Sequence, residues 1–559
     1  MKKAILIFTV ISTMLMHSCG QKETADLVII NGKIFTNDSL NPFVQAIASK
    51  GEFITATGTT GDVSRLIGKE TQVIDAGGRL VLPGFNDAHV HFGPLDPDYI
   101  ELRYTTDPSV ITEKVKAQVQ KSQPGQLIRG GHWEHEMFKG RNWPSKALID
   151  NVSPDNPVIL SRADGHSVLV NSFVLKASGI TKNTVTPYGG EIQKDPVTGE
   201  PTGIIKENAM DLIRTGETKV QLTGAETKEK TRQGYYLALK EARELGVTSI
   251  QVPGYGDFDA YDTIMAHGEL TSRIDIGGSI PANGETMKKY SELKLKYPSG
   301  GNWIRFGYLK AFIDGTIGSG TALMFEPFAD NPETSGLSMM PYETFEKMVV
   351  EADKDGFQIG VHAIGDKGNN WVLNAYEKAQ QVNGKRDSRH RDEHTQTLIQ
   401  SDIPRFAQLG VIASMQPTHC ISDKKFCEKR IGIKRAEGAY AWNSLRKAGA
   451  RIAFGTDYQV EPLNPMEGLY AAVTRKDRLG EEGDGWNPQE KISMEQAIYY
   501  YTIGASYSQF MEERKGILKK GYLADIVITD KDLFTIPENE IMKTKIDYTI
   551  VGGKVVYKK

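Results

Sequence analysis

Cysteine is scarce: the 559 residues hold three, Cys19, Cys420 and Cys427. That is too few for a thiolate zinc framework or a disulfide-stapled scaffold. An excess of one charge is lacking too. Charged residues make up 25% of the chain, yet the formal net charge is -3, so no basic surface argues for nucleic acid. Histidines number only 11, and their placement matters more than their count. Beyond the N-terminus no run is long and apolar enough to cross a membrane. No repeat of solenoid period is visible. The length exceeds one simple domain and suggests a large barrel with attachments.

Met1-Lys2-Lys3 is a positive start, and Ala4 to Met16 is apolar but short for a spanning helix. This is the shape of a secretory signal. Leu15-Met16-His17-Ser18-Cys19-Gly20 resembles a bacterial lipoprotein signal, in which the cysteine is lipidated and begins the mature protein. Leu15 stands one place further from the cysteine than the usual pattern, and Met16 fills its place. A plain secretory signal with an incidental cysteine is the alternative. The expectation is a signal peptide over residues 1–19, lipidation of Cys19, a tether over 20–25, and anchorage to a bacterial membrane facing the periplasm or the surface. In such an envelope Cys420 and Cys427 could close a disulfide loop; two buried thiols are the equal alternative.

Residues 26–82 read as β-structure. Leu27 to Phe35 reads as strand, Asn31-Gly32 turn and strand. Tyr548 to Tyr557 repeats that pattern around Gly552-Gly553, after a strand at Ala524–Thr529. Two similar hairpins at opposite ends suggest a small β-sandwich built from residues 26–82 with 508–559. Between them, over 83–507, strands alternate with helical segments. Strand candidates are Val81–His91, Val247–Val252, Ile274–Ile280, Ile304–Ile313, Phe357–His362, Arg391–His394, Val411–Gln416 and Ile452–Asp457. The pattern predicts an α/β fold, a (β/α)8 TIM-like barrel with its chemistry at the C-terminal strand ends. A long insertion after the first strand, about 94–231, has strands of its own at Leu127–Gly131 and Val158–Arg162 and reads as a lid.

The polar residues on those strand ends converge. The first strand ends in His89-Val90-His91, and residues two apart on a strand share a side. Lys310, His362, His394 and Asp457 stand at or near the ends of the fourth, fifth, sixth and eighth strands. Histidine and carboxylate ligands of this kind suit a divalent metal. A buried lysine in apolar company is costly unless paired or neutralised. Reaction with CO2 would make Lys310 a carbamate, an anionic oxygen ligand able to bridge two cations; an ion pair with Asp314 is the alternative.

Taken with Pro83 to His91, Arg162-Ala163-Asp164-Gly165-His166-Ser167, Lys310 to Gly315, His362 to Asp366, Glu393-His394-Thr395-Gln396 and Gly455-Thr456-Asp457, the chain resembles the amidohydrolase superfamily. The likeness is to its YtcJ-like branch, which includes N-substituted formamide deformylases. It implies that His89, His91 and Asp457 bind one metal, that His362 and His394 bind a second, and that carboxylated Lys310 bridges them. Without the carbamate, a single site of His89, His91, His362 and Asp457 follows, with His394 donating a hydrogen bond. Zinc is the expected ion, one or two per chain. A metal lowers the pKa of bound water and polarises a carbonyl. Asp457 is then the general base. The lid offers Trp133, Arg162 and His166 to the substrate pocket, Arg162 binding a substrate carboxylate or, as the equal alternative, forming a structural salt bridge with Asp164; His419, at the end of the seventh strand, lines the pocket or is equally a packing histidine.

The resulting expectation is a metal-dependent hydrolase of amide- or formamide-type carbon–nitrogen bonds in small molecules, with an oligomer compatible. Competing readings are a deaminase, a lactone or ester hydrolase on the same rim, and a non-catalytic ligand-binding lipoprotein, which would show a broken ligand set.

Overall fold

The computed structural model describes residues 24–215, 224–254, 256–281, 283–480 and 483–559, without the side chains of 224–227. The expected signal peptide and Cys19 lie outside the described residues. Of the expected tether, Ala25 is already part of the fold. It is buried, and its N–H donates to Leu66 O at 2.9 Å.

Eight parallel strands form the central sheet, in chain order: β1 Phe85–Asp87, β2 Val247–Val252, β3 Arg273–Ser279, β4 Ile304–Phe312, β5 Ile359–Ala363, β6 Arg391–His394, β7 Ile412–Met415 and β8 Arg451–Phe454. Crossover helices cover the outside, so both strand faces are buried. In β2 even Thr248, Ser249 and Gln251 are inaccessible. Beyond the strand ends β1 meets β8 and the barrel closes. Ala88 N–H donates to Phe454 O at 3.1 Å and Asp457 N–H to His89 O at 2.8 Å. Glycine is required here, since a Cβ on Gly455 would lie 2.6 Å from His89 N.

The termini do combine. A six-stranded sheet joins Phe43–Val44, Lys33–Phe35 and Leu80–Pro83 edge to edge with Ile526–Thr529, Ile546–Val551 and Lys554–Lys558, the two halves meeting where Leu80–Pro83 pairs antiparallel with Ile526–Thr529. The expected N-terminal hairpin does not form. Leu27–Ile30 pairs with Ala46–Lys50 and Gln72–Asp75 in a separate four-stranded sheet, and the chain changes sheet at Asn31-Gly32. Asn31 takes a φ of +54° there, and its N–H donates to Thr60 Oγ1 at 3.1 Å instead of closing a two-residue turn.

The insertion carries a six-stranded sheet running from Ile100–Glu101 to Pro201–Glu207. Gly224–Glu244 is already the helix leading to β2, so the insertion ends earlier than expected. Cys420 and Cys427 are buried thiols on one helix, Pro417–Ile431, with no disulfide between them. Two helical turns separate their Cα atoms by about 10 Å, beyond disulfide reach.

Beneath the barrel, buried Lys515 donates to Ser249 Oγ among charges already paired: Arg273 with Asp525 at 2.7 Å, and Arg305 with Asp275 at 2.6 Å. Burial pushes the Lys515 amine down to about 7, against the pull of Asp275. Its folded pKa thus lies below the unfolded value of about 10.4. Between the two, the unfolded chain holds a proton that the folded chain does not, so stability rises with pH across that window; below pH 7 the penalty is complete. Relative to Lys515→Met, the wild type should therefore gain up to about 1.4 kcal/mol per pH unit from pH 7 to 10. Urea unfolding of both proteins across that range checks this; a pH-independent difference contradicts it.

Candidate metal centre

Strand β1 stops at Asp87, so His89 and His91 sit in the loop beyond it and not on the strand as expected. The loop is pinned: Asp87 Oδ1 accepts the N–H groups of His89 at 3.2 Å and Thr456 at 2.9 Å. The two histidines still converge. Their Nε2 atoms lie 3.5 and 3.2 Å from Asp457 Oδ1, with His89 buried and the His91 side chain 45% exposed. Asp457, His394 and Thr395 all take left-handed φ values, +56°, +78° and +46°. Such backbone strain collects at functional sites.

Ligand atoms of His89, His394 and Asp457 lie within 4.8 Å of one another. This grouping differs from both expected ligand sets. His91 adjoins the same carboxylate. His362 donates from Nε2 to Gly315 O at 3.2 Å, leaving its Nδ1 lone pair, and its ring lies 4.5 Å from that of His394. His419 Nε2 is 3.6 Å from Asp457 Oδ2. Lys310 Nζ is buried 4.6 Å from the Phe312 ring centroid. It is not paired with Asp314, whose carboxylate accepts N–H groups of Leu323, Ile364 and Gly365 at 2.8–3.1 Å.

Burial holds the imidazoles of His362 and His394 well below their usual range and His89 down to about 4, so all three are neutral at pH 7. Burial also brings Lys310 down to about 8. For Asp457, burial acts upward, but His89, His91 and His394 outweigh it and hold the carboxyl well below the usual range. Among the described residues, four buried atoms here lack a hydrogen-bond partner: His89 Nε2, His419 Nε2, Asp457 Oδ1 and Lys310 Nζ. Each unmade bond costs about 1–3 kcal/mol. Neutral imidazoles and an ionised carboxylate are donors that suit a divalent cation such as zinc, so the residues fit one.

The insertion closes the site from above. His166 Nδ1 lies 2.8 Å from Glu207 Oε2, and Thr321 Oγ1 donates to Glu207 Oε1 at 2.6 Å. Burial acts downward on His166, but Glu207 lifts it to about 9, so an imidazolium faces the cavity 4.7 Å from the His362 ring. Arg162 also borders the cavity, but it is not available to a substrate carboxylate. It donates to both Glu134 oxygens at 2.7 and 2.6 Å and pairs with Asp164. Asp164 in turn accepts from Thr316 and Ser319 at 2.6 and 2.7 Å, which clamps the insertion to the loop after β4. Trp133 does not line the pocket. It is wholly buried in the insertion core, donating from Nε1 to Leu160 O at 2.8 Å.

The sequence signature described as Amidohydrolase family matches residues 72–557. The chain belongs to the amidohydrolase family. It is thus a hydrolase of a metal-dependent kind. Protein LONG AFTER FAR-RED 3 of Arabidopsis thaliana is 34% identical, over 95% of this chain and 92% of that protein. Putative amidohydrolase YtcJ of Bacillus subtilis is 32% identical (89% and 94%), and N-substituted formamide deformylase of Arthrobacter pascens 24% (96% and 98%). An uncharacterised metal-dependent hydrolase of Pyrococcus furiosus superposes with a TM-score of 0.68 at 27% identity, covering 91% of this chain and 100% of that one.

This amidohydrolase also has supporting residues that sequence reasoning missed. His89 Nδ1 lies 2.6 Å from Glu393 Oε2, and Glu393 is held by Arg391 at 2.7 Å. His394 Nδ1 donates to Gln416 Oε1 at 2.8 Å. Such partners fix which imidazole nitrogen faces the ion. The available signal was Arg391 two residues before Glu393, a same-face charge pair in a fully buried strand.

Proposed function

We propose that this amidohydrolase cleaves amide- or formamide-type carbon–nitrogen bonds of small molecules, with Asp457 as general base. The observation that carries this is the Asp457 carboxylate, ionised though buried, with Oδ1 lacking a hydrogen-bond partner among three histidines. A divalent ion there, zinc in our reading, would supply a water of lowered pKa and a Lewis acid for the scissile carbonyl. His89, His394 and Asp457 would hold it, with His91 and His419 adjoining. Asp457 takes the proton from the attacking water and returns it to the leaving amine. The His166 imidazolium faces the same cavity and stabilises the oxygen that becomes negative. Lys310, as a carbamate, would neutralise its buried amine and allow a second ion with His362 and His394. Support for the bond type comes from the deformylase relative.

A screen of N-formyl and N-acyl amines, esters, lactones and aminopurines with zinc-loaded protein tests the bond type. Turnover of the amides is expected; turnover confined to the other classes rejects it.

We propose further that the mature chain is lipid-anchored through Cys19 in a bacterial envelope, on the strength of residues 1–19. Cys19→Ser should release it from the membrane fraction. Unchanged attachment in that variant removes the anchor.

A further inference from the structure

The metal centre faces two cavities. Asp457, His362, His394 and His166 border both. One carries charged side chains in its wall, Arg103, Glu134, Asp423, Glu461 and Arg478. The other opens between the insertion and the barrel and is lined by Tyr188, Leu212, Ile280, Phe312, Met339 and Met340. Phe312 ends the fourth barrel strand. It follows Lys310 by two residues, so it shares that side, and it remains 37% exposed. Its ring lies 5.2 Å from that of His362. The walls are built in advance. Asn208 donates to Tyr188 O at 2.9 Å and Met339 O at 3.3 Å, and Tyr188 OH meets Ser338 Oγ at 3.0 Å. An apolar channel with fixed walls, continuous with the reacting centre, is a subsite for hydrocarbon.

We infer that the preferred substrates are amides carrying a hydrocarbon substituent of several carbons on one side of the scissile bond, seated against Phe312 and Leu212. The smaller or polar substituent occupies the cavity beside Arg103 and Glu461. The inference rests on the amide hydrolysis proposed above and adds the shape of its substrate. Each methylene buried in such a channel is worth about fourfold in binding.

The test uses two series with zinc-loaded protein: N-alkylformamides from methyl to hexyl, and N-methylalkanamides from acetyl to octanoyl. In one of them kcat/KM should climb by about fourfold per methylene until the channel is full. The climbing series identifies the substituent that enters the channel. Phe312→Ala and, on a separate element, Leu212→Gln should each cut the long-to-short ratio by about tenfold. Turnover with no length dependence in either series overturns the subsite and leaves amide hydrolysis standing. If no amide is turned over, the amide reading fails, and calorimetry with n-alkylamines and n-alkylcarboxylates still decides on the channel. Affinity for one of the two classes should rise with chain length in the wild type and flatten in both variants. Length-independent affinity for both overturns the inference.

Discussion

Asp457→Asn is expected to lower kcat by about a thousandfold at saturating metal, with a much smaller change in KM. The substitution keeps the shape and one oxygen of the side chain but removes its charge and its ability to carry a proton. It should fold. Asp457 has a φ of +56°, a region where asparagine is among the residues best tolerated, whereas alanine there would add strain of its own. The loss should fall on the chemical step, since the neighbouring imidazoles of His89, His91 and His419 remain. Steady-state kinetics of zinc-saturated wild type and variant check this. Activity within about tenfold of wild type would remove Asp457 as the base.

Glu393→Gln should have the second-largest effect, and a different one. Glu393 and Arg391 are both inaccessible, and Arg391 also donates to Gln251 Oε1 at 2.8 Å, Ala88 O at 2.6 Å and Ser414 Oγ at 2.8 Å. Neutralising Glu393 leaves a buried guanidinium without its counter-charge, at a cost of about 3 kcal/mol in stability. It also replaces the charged acceptor that orients His89 with a neutral amide whose single oxygen cannot serve both His89 and Arg391, which should weaken metal binding by about 10- to 100-fold. Chelator competition and urea unfolding should therefore shift together. Unchanged metal affinity would mean that His89 is not a ligand.

Much of the fold was legible because parallel strands covered on both sides read as uninterrupted apolar runs. Val247–Val252, apolar at Val247, Ile250 and Val252, was placed to the residue, and so was Arg391–His394, which is wholly polar and was found from its place in the strand–helix alternation. The same continuity misled at Leu80 to His91. What reads as one strand is two, Leu80–Pro83 in the terminal sheet and Phe85–Asp87 in the barrel, parted at Gly84. A Cβ on Gly84 would lie 2.3 Å from Thr248 Cγ2, a packing constraint that no local pattern reveals. The rim residues were legible as strand-end chemistry, and the structure gathers them. What strand ends do not reveal is which partner each side chain takes. Arg162 was placed at its strand end with two readings, a substrate carboxylate or a salt bridge with Asp164; the structure has the salt bridge and adds Glu134, which the sequence did not suggest. Trp133, two positions beyond Gly131, turns inward to the insertion core. Cys420 and Cys427 suggested a loop only because the helix beneath them was not foreseen.

The most direct measurement is the metal content of purified protein set against its amidase activity. On the proposal that His89, His394 and Asp457 hold the ion, active protein should carry at least about one divalent ion per chain. Chelation should remove ion and activity together, and zinc should restore both. Full activity in protein holding less than about a tenth of an ion per chain would contradict a metal centre at these residues.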